Sequence, residues 1–277
     1  MHVSVYDDKL QASSAAAADG AERIRQAIAA RGQANIVVAT GASQFDLCEQ
    51  LALQADLNWN RVSIFHLDEY CGLPISHPAS FRLYLWERFV RRLPVPPAAF
   101  YPLNGEGDAA AECERVGAII RQHPVDVAFV GIGENGHLAF NDPPADFHVE
   151  APYHVVQLDE DCRRQQYDEG WFASLEQVPR QALSMSIRQI MTSRAIICTV
   201  PDERKARAVA AALQGPVSPE VPASILQTHE QATVYLDQPA ASLLTGGDGV
   251  MRRNDAAASP APPRTAEPTP VDHSTVR

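Results

Sequence analysis

The chain has 277 residues, 45% of them hydrophobic and 21% charged, with a formal net charge of −11 at pH 7. That balance fits one large α/β domain or two small ones around a sizeable core. The acidic charge argues against nucleic acid or an anionic membrane surface as a partner, since both need a net basic face. Helical spacing runs from about Leu10 to Ala30, where alanines, Ile24 and Ile28 recur at three- and four-residue intervals. The apolar run Ala34–Ala39 reads as a buried strand ending at Thr40-Gly41, and Ser43 and Asp46 as caps of a helix through Leu53. Val62–Leu67 is the next expected strand. Pro78–Arg92 is a helix with an apolar stripe at Phe81, Leu85 and Phe89, and Asp108–Arg121 is a second one. Strands follow at Val125–Val130, Ala195–Val200 and Ala232–Leu236, with helices at Pro179–Met191 and Glu203–Leu213. Alternating strands and helices imply an α/β fold with a mostly parallel sheet and helices on both faces.

From Gly246 onward the chain is rich in Pro, Ala and Gly and poor in large apolar residues. The expectation is a domain over 1–245 and a disordered tail over 246–277. Five scattered cysteines with no C-x-x-C pair read as reduced thiols. The first twenty residues lack the basic start and apolar run of a signal peptide, and no stretch is apolar enough to span a bilayer. A cytoplasmic protein is expected.

Ligands of an open parallel sheet bind beyond the carboxyl ends of its strands. Three strands end in unusual polar runs: Thr40-Gly41-Ala42-Ser43, Asp68-Glu69-Tyr70-Cys71-Gly72, and Gly131 to His137 (GIGENGH). Convergence of these runs on one rim is the expectation with most consequence. The first run reads either as a plain strand–helix turn or as an anion nest of N–H groups and hydroxyls. In the second, one carboxylate can serve as a general base tuned by burial and by its neighbour; the alternative is a solvated charge pair. In the third, His137 brings an imidazole, the side-chain type suited to acid–base work, and Asn135 and Asp142 bracket it so that the aspartate can orient the ring. Lys205, in the first turn of a helix, suits a phosphate better than it suits the helix end. Gly131, Gly133 and Gly136 resemble G-x-G-x-x-G only superficially, and a nicotinamide role is rejected.

Taken together, FHLDEYCGLPISHPASF, GIGENGHLAFNDP and DERKARAVAAALQG resemble glucosamine-6-phosphate deaminase in order, spacing and wording, over most of Asn35 to Leu244. The resemblance implies a Rossmann-like fold, an amino-sugar phosphate as substrate, and no metal or organic cofactor. It implies that Asp68 is the proton-shuttling base with Glu69 as supporting carboxylate, and that His137 is the ring-opening acid–base residue. It also implies that Asn135 and Asp142 attend His137, with Asp142 where the family usually has glutamate. Thr40, Gly41, Ala42, Ser43 and Lys205 match the family's phosphate contacts. The family's phosphate-binding arginine has no clean match; Arg163 and Arg164 are nearest. The segment after Asp142 lacks the Arg and Lys of the effector site in allosteric members, so activation by N-acetylglucosamine 6-phosphate is not expected.

The nearest rival is 6-phosphogluconolactonase, which shares the fold but typically has an arginine after the Asp-Glu pair, where this chain has Tyr70. A non-catalytic sugar-phosphate sensor would want a helix-turn-helix and a basic face, and neither is evident. The sugar's stereochemistry and the oligomeric state, a homo-oligomer included, do not follow from the sequence.

Overall fold

The computed structural model describes residues 1–54, 56–246 and, as backbone, 250–252. In chain order the elements are β1 (His2–Tyr6), α1 (Lys9–Arg31), β2 (Ala34–Val38), α2 (Phe45–Ala52), β3 (Val62–His66), β4 (Asp68–Tyr70) and α3 (Phe81–Arg88). There follow β5 (Ala99–Tyr101), α4 (Ala109–Ile120), β6 (Val127–Val130), β7 (Tyr153–Gln157), α5 (Glu160–Asp168), β8 (Gln181–Met185) and α6 (Ile187–Met191). β9 (Ala195–Val200), α7 (Ala206–Gln214), β10 (Ala232–Asp237) and β11 (Val250–Arg252) complete the series.

Eight strands form one sheet in the order β11-β1-β10-β9-β6-β2-β3-β5, every neighbouring pair parallel. Both faces are covered, as parallel sheets require. Along β2, Ile36 and Val38 enter the core under α1 and α2, while Val37 enters the core on the opposite face with residues of α4 and α7. β6 and β9 divide in the same way, Phe129 and Ile197 to the first side, Ala128 and Ile196 to the second.

Local chemistry explains the helix ends. Asp8 accepts from the Gln11 N–H at 2.8 Å to open α1, and Gly32 closes it at φ 77°. The buried face of α1 is mostly alanine, with Gly20 where the helix crosses the sheet; a Cβ there would lie 2.4 Å from the Phe129 ring. Small side chains are what let this helix lie so close.

The chain leaves β2 for β3 and β5 on one side, then returns to β6, β9 and β10 on the other. The order therefore reverses between β2 and β6, and a crevice is expected beyond their carboxyl ends. A second, antiparallel sheet β4-β8-β7 stands beside that crevice. Its core is aromatic, with Tyr70 against Phe81, Phe140 and Phe172 and with Phe81 stacked on Phe140.

Three expectations are corrected. The segment read as one helix over Pro179–Met191 is β8 followed by the five-residue α6, which Ser186 caps by accepting from Gln189. Ala182, Leu183, Ser184 and Met185 are all buried, so the alternation that marks a strand is absent. Ser43 and Asp46 do not cap α2; a 3₁₀ turn, Ala42–Gln44, leads into it without a side-chain cap. Of the stretch expected to be a disordered tail, 250–252 pairs with β1 as an edge strand; 247–249 and 253–277 lie outside the described residues. Among the described residues no helix is long and apolar enough to cross a membrane.

Candidate active site

The crevice at the β2–β6 reversal is an open cavity of about 510 Å³, its solvent-filled mouth included. Its walls include Thr40, Gly41, Ser43, Asp68, Gly131, Gly133, His137 and Lys205. The three polar strand ends therefore do meet, and the loop after β9 adds the lysine.

At the end of β2, Gly41 adopts φ 104°, a conformation that favours glycine. Its carbonyl accepts from the Gln44 N–H, which closes the 3₁₀ turn that Ala42 opens. Among the described residues nothing accepts from the N–H groups of Gly41 or Ser43. Gln44 is buried. Its amide exchanges hydrogen bonds with Thr199 on β9 (3.2 and 3.0 Å) and donates to Ser43 Oγ at 3.2 Å. A hydroxyl that already accepts in this way has its own proton free for an anion. Sequence reasoning did not find Gln44; its only signal was its place directly after the polar loop.

Lys205 is 3% exposed, and among the described residues its ammonium has no hydrogen-bond or ion-pair partner. Burial lowers its ammonium to about 8 against the pull of Glu134 and Glu169. An unpaired buried cation beside free N–H groups is a site waiting for an anion. Neither candidate arginine reaches it. Arg163 donates to the carbonyls of Leu175 and Val178, and Arg164 pairs with Glu160 on the surface. At this wall the chain instead presents Gln165, Gln166 and Glu169, from α5 and its end. Arg204 lies 3.5 Å from Glu134 and 3.7 Å from Glu169. None of these was singled out from the sequence, because α5 is polar on most sides and carries no periodic signal.

Asp68 opens β4 and is 6% exposed. Burial, then the charge of Glu69, pushes its carboxyl up to about 8 against a long 3.5 Å hydrogen bond from Thr40 Oγ1. Glu69 points the other way, as strand alternation requires. It is fully buried and accepts from the N–H groups of Tyr70, Phe81 and Arg82, from Ser80 Oγ and from Arg82 Nε. Glu69 is not among the cavity walls. The expected carboxylate pair thus divides, one member facing the cavity and the other anchoring the start of α3.

The loop after β6 doubles back so that the Gly133 N–H donates to the His137 carbonyl at 3.0 Å. The imidazole lies against Gly133, where an added Cβ would be 2.3 Å from the ring. His137 Nδ1 is 3.1 Å from Asp142 Oδ1, an ion-pair separation without hydrogen-bond alignment. Asp142 accepts from Asn135 Nδ2 at 3.1 Å and from the Asp159 N–H at 2.9 Å, and Asn135 Oδ1 accepts from the His137 N–H. Burial raises the Asp142 carboxyl, but His137, the Asp159 N–H and Asn135 outweigh it and leave it below the ordinary range. Asn135 and Asp142 therefore stand behind His137 rather than in the cavity.

A protein-family profile described as glucosamine-6-phosphate isomerases/6-phosphogluconolactonase matches residues 7–235. A glucosamine-6-phosphate deaminase of Streptococcus pneumoniae serotype 4 is 36% identical over 215 residues, covering 78% of this chain and 90% of its own. Among solved structures, a monomeric glucosamine-6-phosphate deaminase is 32% identical with a TM-score of 0.79, covering 88% of this chain and all of that one. A 6-phosphogluconolactonase of Thermotoga maritima, 17% identical, has a TM-score of 0.70 over 85% of this chain and 98% of its own; that likeness concerns the fold alone.

Proposed function

This chain belongs to the family of glucosamine-6-phosphate isomerases and 6-phosphogluconolactonases, and we propose that it converts glucosamine 6-phosphate and water to fructose 6-phosphate and ammonia. The observation that carries this reading is one cavity holding a buried carboxylate, an imidazole and an unpaired buried lysine.

The free N–H groups of Gly41 and Ser43, the hydroxyls of Thr40 and Ser43, and Lys205 take the phosphate. Binding energy gathered there orients the reacting carbons, which lie at the other end of the sugar. His137 takes the proton of the anomeric hydroxyl and returns one to the ring oxygen as the ring opens, with Asp142 stabilising the charged imidazole. Asp68 then moves a proton from C2 to C1 on one face of the open chain. The resulting C2 imine is hydrolysed by water to the ketone and ammonia. These steps use no metal or organic cofactor, and their setting is a cytoplasmic one, in amino-sugar breakdown.

The choice of deaminase over lactonase rests on Tyr70 after the Asp68-Glu69 pair, on the LAFNDP run, and on the S. pneumoniae relative. Ammonia release should be measured over a panel of phosphorylated amino sugars, with hydrolysis of 6-phosphogluconolactone alongside. Release from glucosamine 6-phosphate, lowered about 10²–10⁴-fold by Asp68→Asn, is the expected result. Lactone hydrolysis without ammonia from any amino sugar would overturn the proposal.

A further inference from the structure

Behind the cavity wall, an imidazole nitrogen of His137, a carboxylate oxygen of Asp142 and the sulfur of Cys162 all lie within 4.8 Å of one another. We propose that these three side chains bind a thiophilic divalent cation, Zn²⁺ foremost, and that the ion acts there as an inhibitor. The inhibitory half of the proposal rests on the role given to His137 above; the binding half does not.

Zinc holds nitrogen, oxygen and sulfur ligands at about 2.0–2.3 Å, and about 3.3–3.8 Å separates the ligand atoms around a tetrahedral ion. With one sulfur in the set those separations reach only about 3.6 Å, so a pair 4.8 Å apart closes by about 1.2–1.5 Å to meet that geometry. His137 Nδ1 is buried and has no aligned hydrogen bond although Asp142 Oδ1 is 3.1 Å away. The carboxylate is held from outside by Asn135 Nδ2 and by the Asp159 N–H, the kind of support that metal-binding carboxylates have.

Charge favours the ion as well. As the zinc–sulfur bond forms, the thiol proton leaves to solvent and no oxidation state changes. One carboxylate and one thiolate then neutralise a divalent cation beside a neutral imidazole, so the loaded cluster carries no net charge. Magnesium and calcium want oxygen ligands only, which this set does not offer. Among the described residues no other trio of His, Cys, Asp and Glu comes this close. His137 lines the cavity, which gives the ion its route in. Once bound, the ion occupies the imidazole that ring opening requires.

The test is equilibrium dialysis of the full-length, reduced, chelator-stripped chain against Zn²⁺, with Co²⁺ as a spectroscopic probe. One zinc per chain and a thiolate-to-cobalt charge-transfer band are expected. Cys162→Ser should lose the band and bind zinc at least about 100-fold more weakly, since removing even an outer partner of a metal ligand costs 10–100-fold. Cys71→Ser should match the wild type in both. Asp142→Asn, by binding alone, provides a second ligand variant should Cys162→Ser fold poorly. In the ammonia assay zinc should inhibit the wild type, a chelator should restore it, and Cys162→Ser should keep its basal rate and resist zinc. No stoichiometric zinc in the wild type, or undiminished binding in Cys162→Ser and Asp142→Asn, overturns the proposal. Cys162-dependent binding in a protein that releases no ammonia would uphold the site and sink the deaminase reading instead.

Discussion

Asp68 and Lys205 face the same cavity, and burial pushes each toward its neutral form, the acid up to about 8 and the base down to about 8. A general base must be unprotonated and a phosphate ligand charged, so the two requirements oppose each other in pH. The expected kcat/KM profile rises toward pH 8 as Asp68 loses its proton and falls above it as Lys205 loses its charge. Bound phosphate favours the charged lysine, so the falling limb of kcat should lie at higher pH than that of kcat/KM. The same carboxyl burdens the fold. Its folded pKa is raised, so below about pH 4 it costs nothing, and the cost grows as pH climbs toward 8. Asp68→Asn should therefore be more stable than the wild type, by about 2 kcal/mol or more near pH 8 and by little near pH 4. Thermal melts at the two pH values measure this. A further residue-scale consequence concerns Gly133, where a methyl group would stand 2.3 Å from the His137 ring. Gly133→Ala should displace the imidazole and cut kcat at least about tenfold, with KM for the phosphorylated substrate much less affected; steady-state kinetics separate the two.

Among the elements, β4 is three residues long and settles the fate of two carboxylates. Successive side chains point to opposite faces, so Asp68 reaches the cavity only because Glu69 is turned inward. Glu69 then serves the start of α3, where it accepts from the N–H groups of Phe81 and Arg82 and faces the Arg82 guanidinium. Removing one partner of a buried ion pair strands the other. Glu69→Ala should lose about 3 kcal/mol or more, read as a lower denaturation midpoint. Glu69→Gln, which keeps the shape, should leave kcat of the folded enzyme within about threefold; a larger loss would restore a catalytic share to Glu69. β8 shows the limit of periodicity in the other direction. Its buried run offers no alternation, and the spacing of Leu183, Ile187 and Ile190 imitates a helix. Only pairing with β4 and β7 makes it a strand.

Across the whole molecule, reversal of the strand order between β2 and β6 brings loops from distant parts of the chain to one place. Thr40 and Lys205 come to line one cavity because β2, β6 and β9 are neighbours in the sheet. α1 holds that arrangement from behind by lying across the sheet through its small residues. Gly20→Ala would set a Cβ 2.4 Å from the Phe129 ring, an overpacking worth about 1–3 kcal/mol. The expected outcome is a lower melting temperature with KM for the sugar phosphate unchanged, since Gly20 lies outside the cavity walls.

Much of this was legible in the residues themselves. Buried parallel strands such as 34–38 and 195–200 are continuous apolar runs, and polar, glycine-bearing breaks directly after them mark ligand loops, because local composition alone decides both. Thr40, Gly41, Ser43, Asp68 and His137 could be chosen on that ground, and Lys205 on its place at the start of a helix. The direction in which Glu69 faces, the amide of Gln44 behind Ser43, the α5 wall of Gln165, Gln166 and Glu169, and the closeness of Cys162 to His137 had no local signature. Each depends on which segments pack together, a property of strand order and of the second sheet. Distances across the chain are set by the pairing of remote elements, and no run of neighbouring residues carries them.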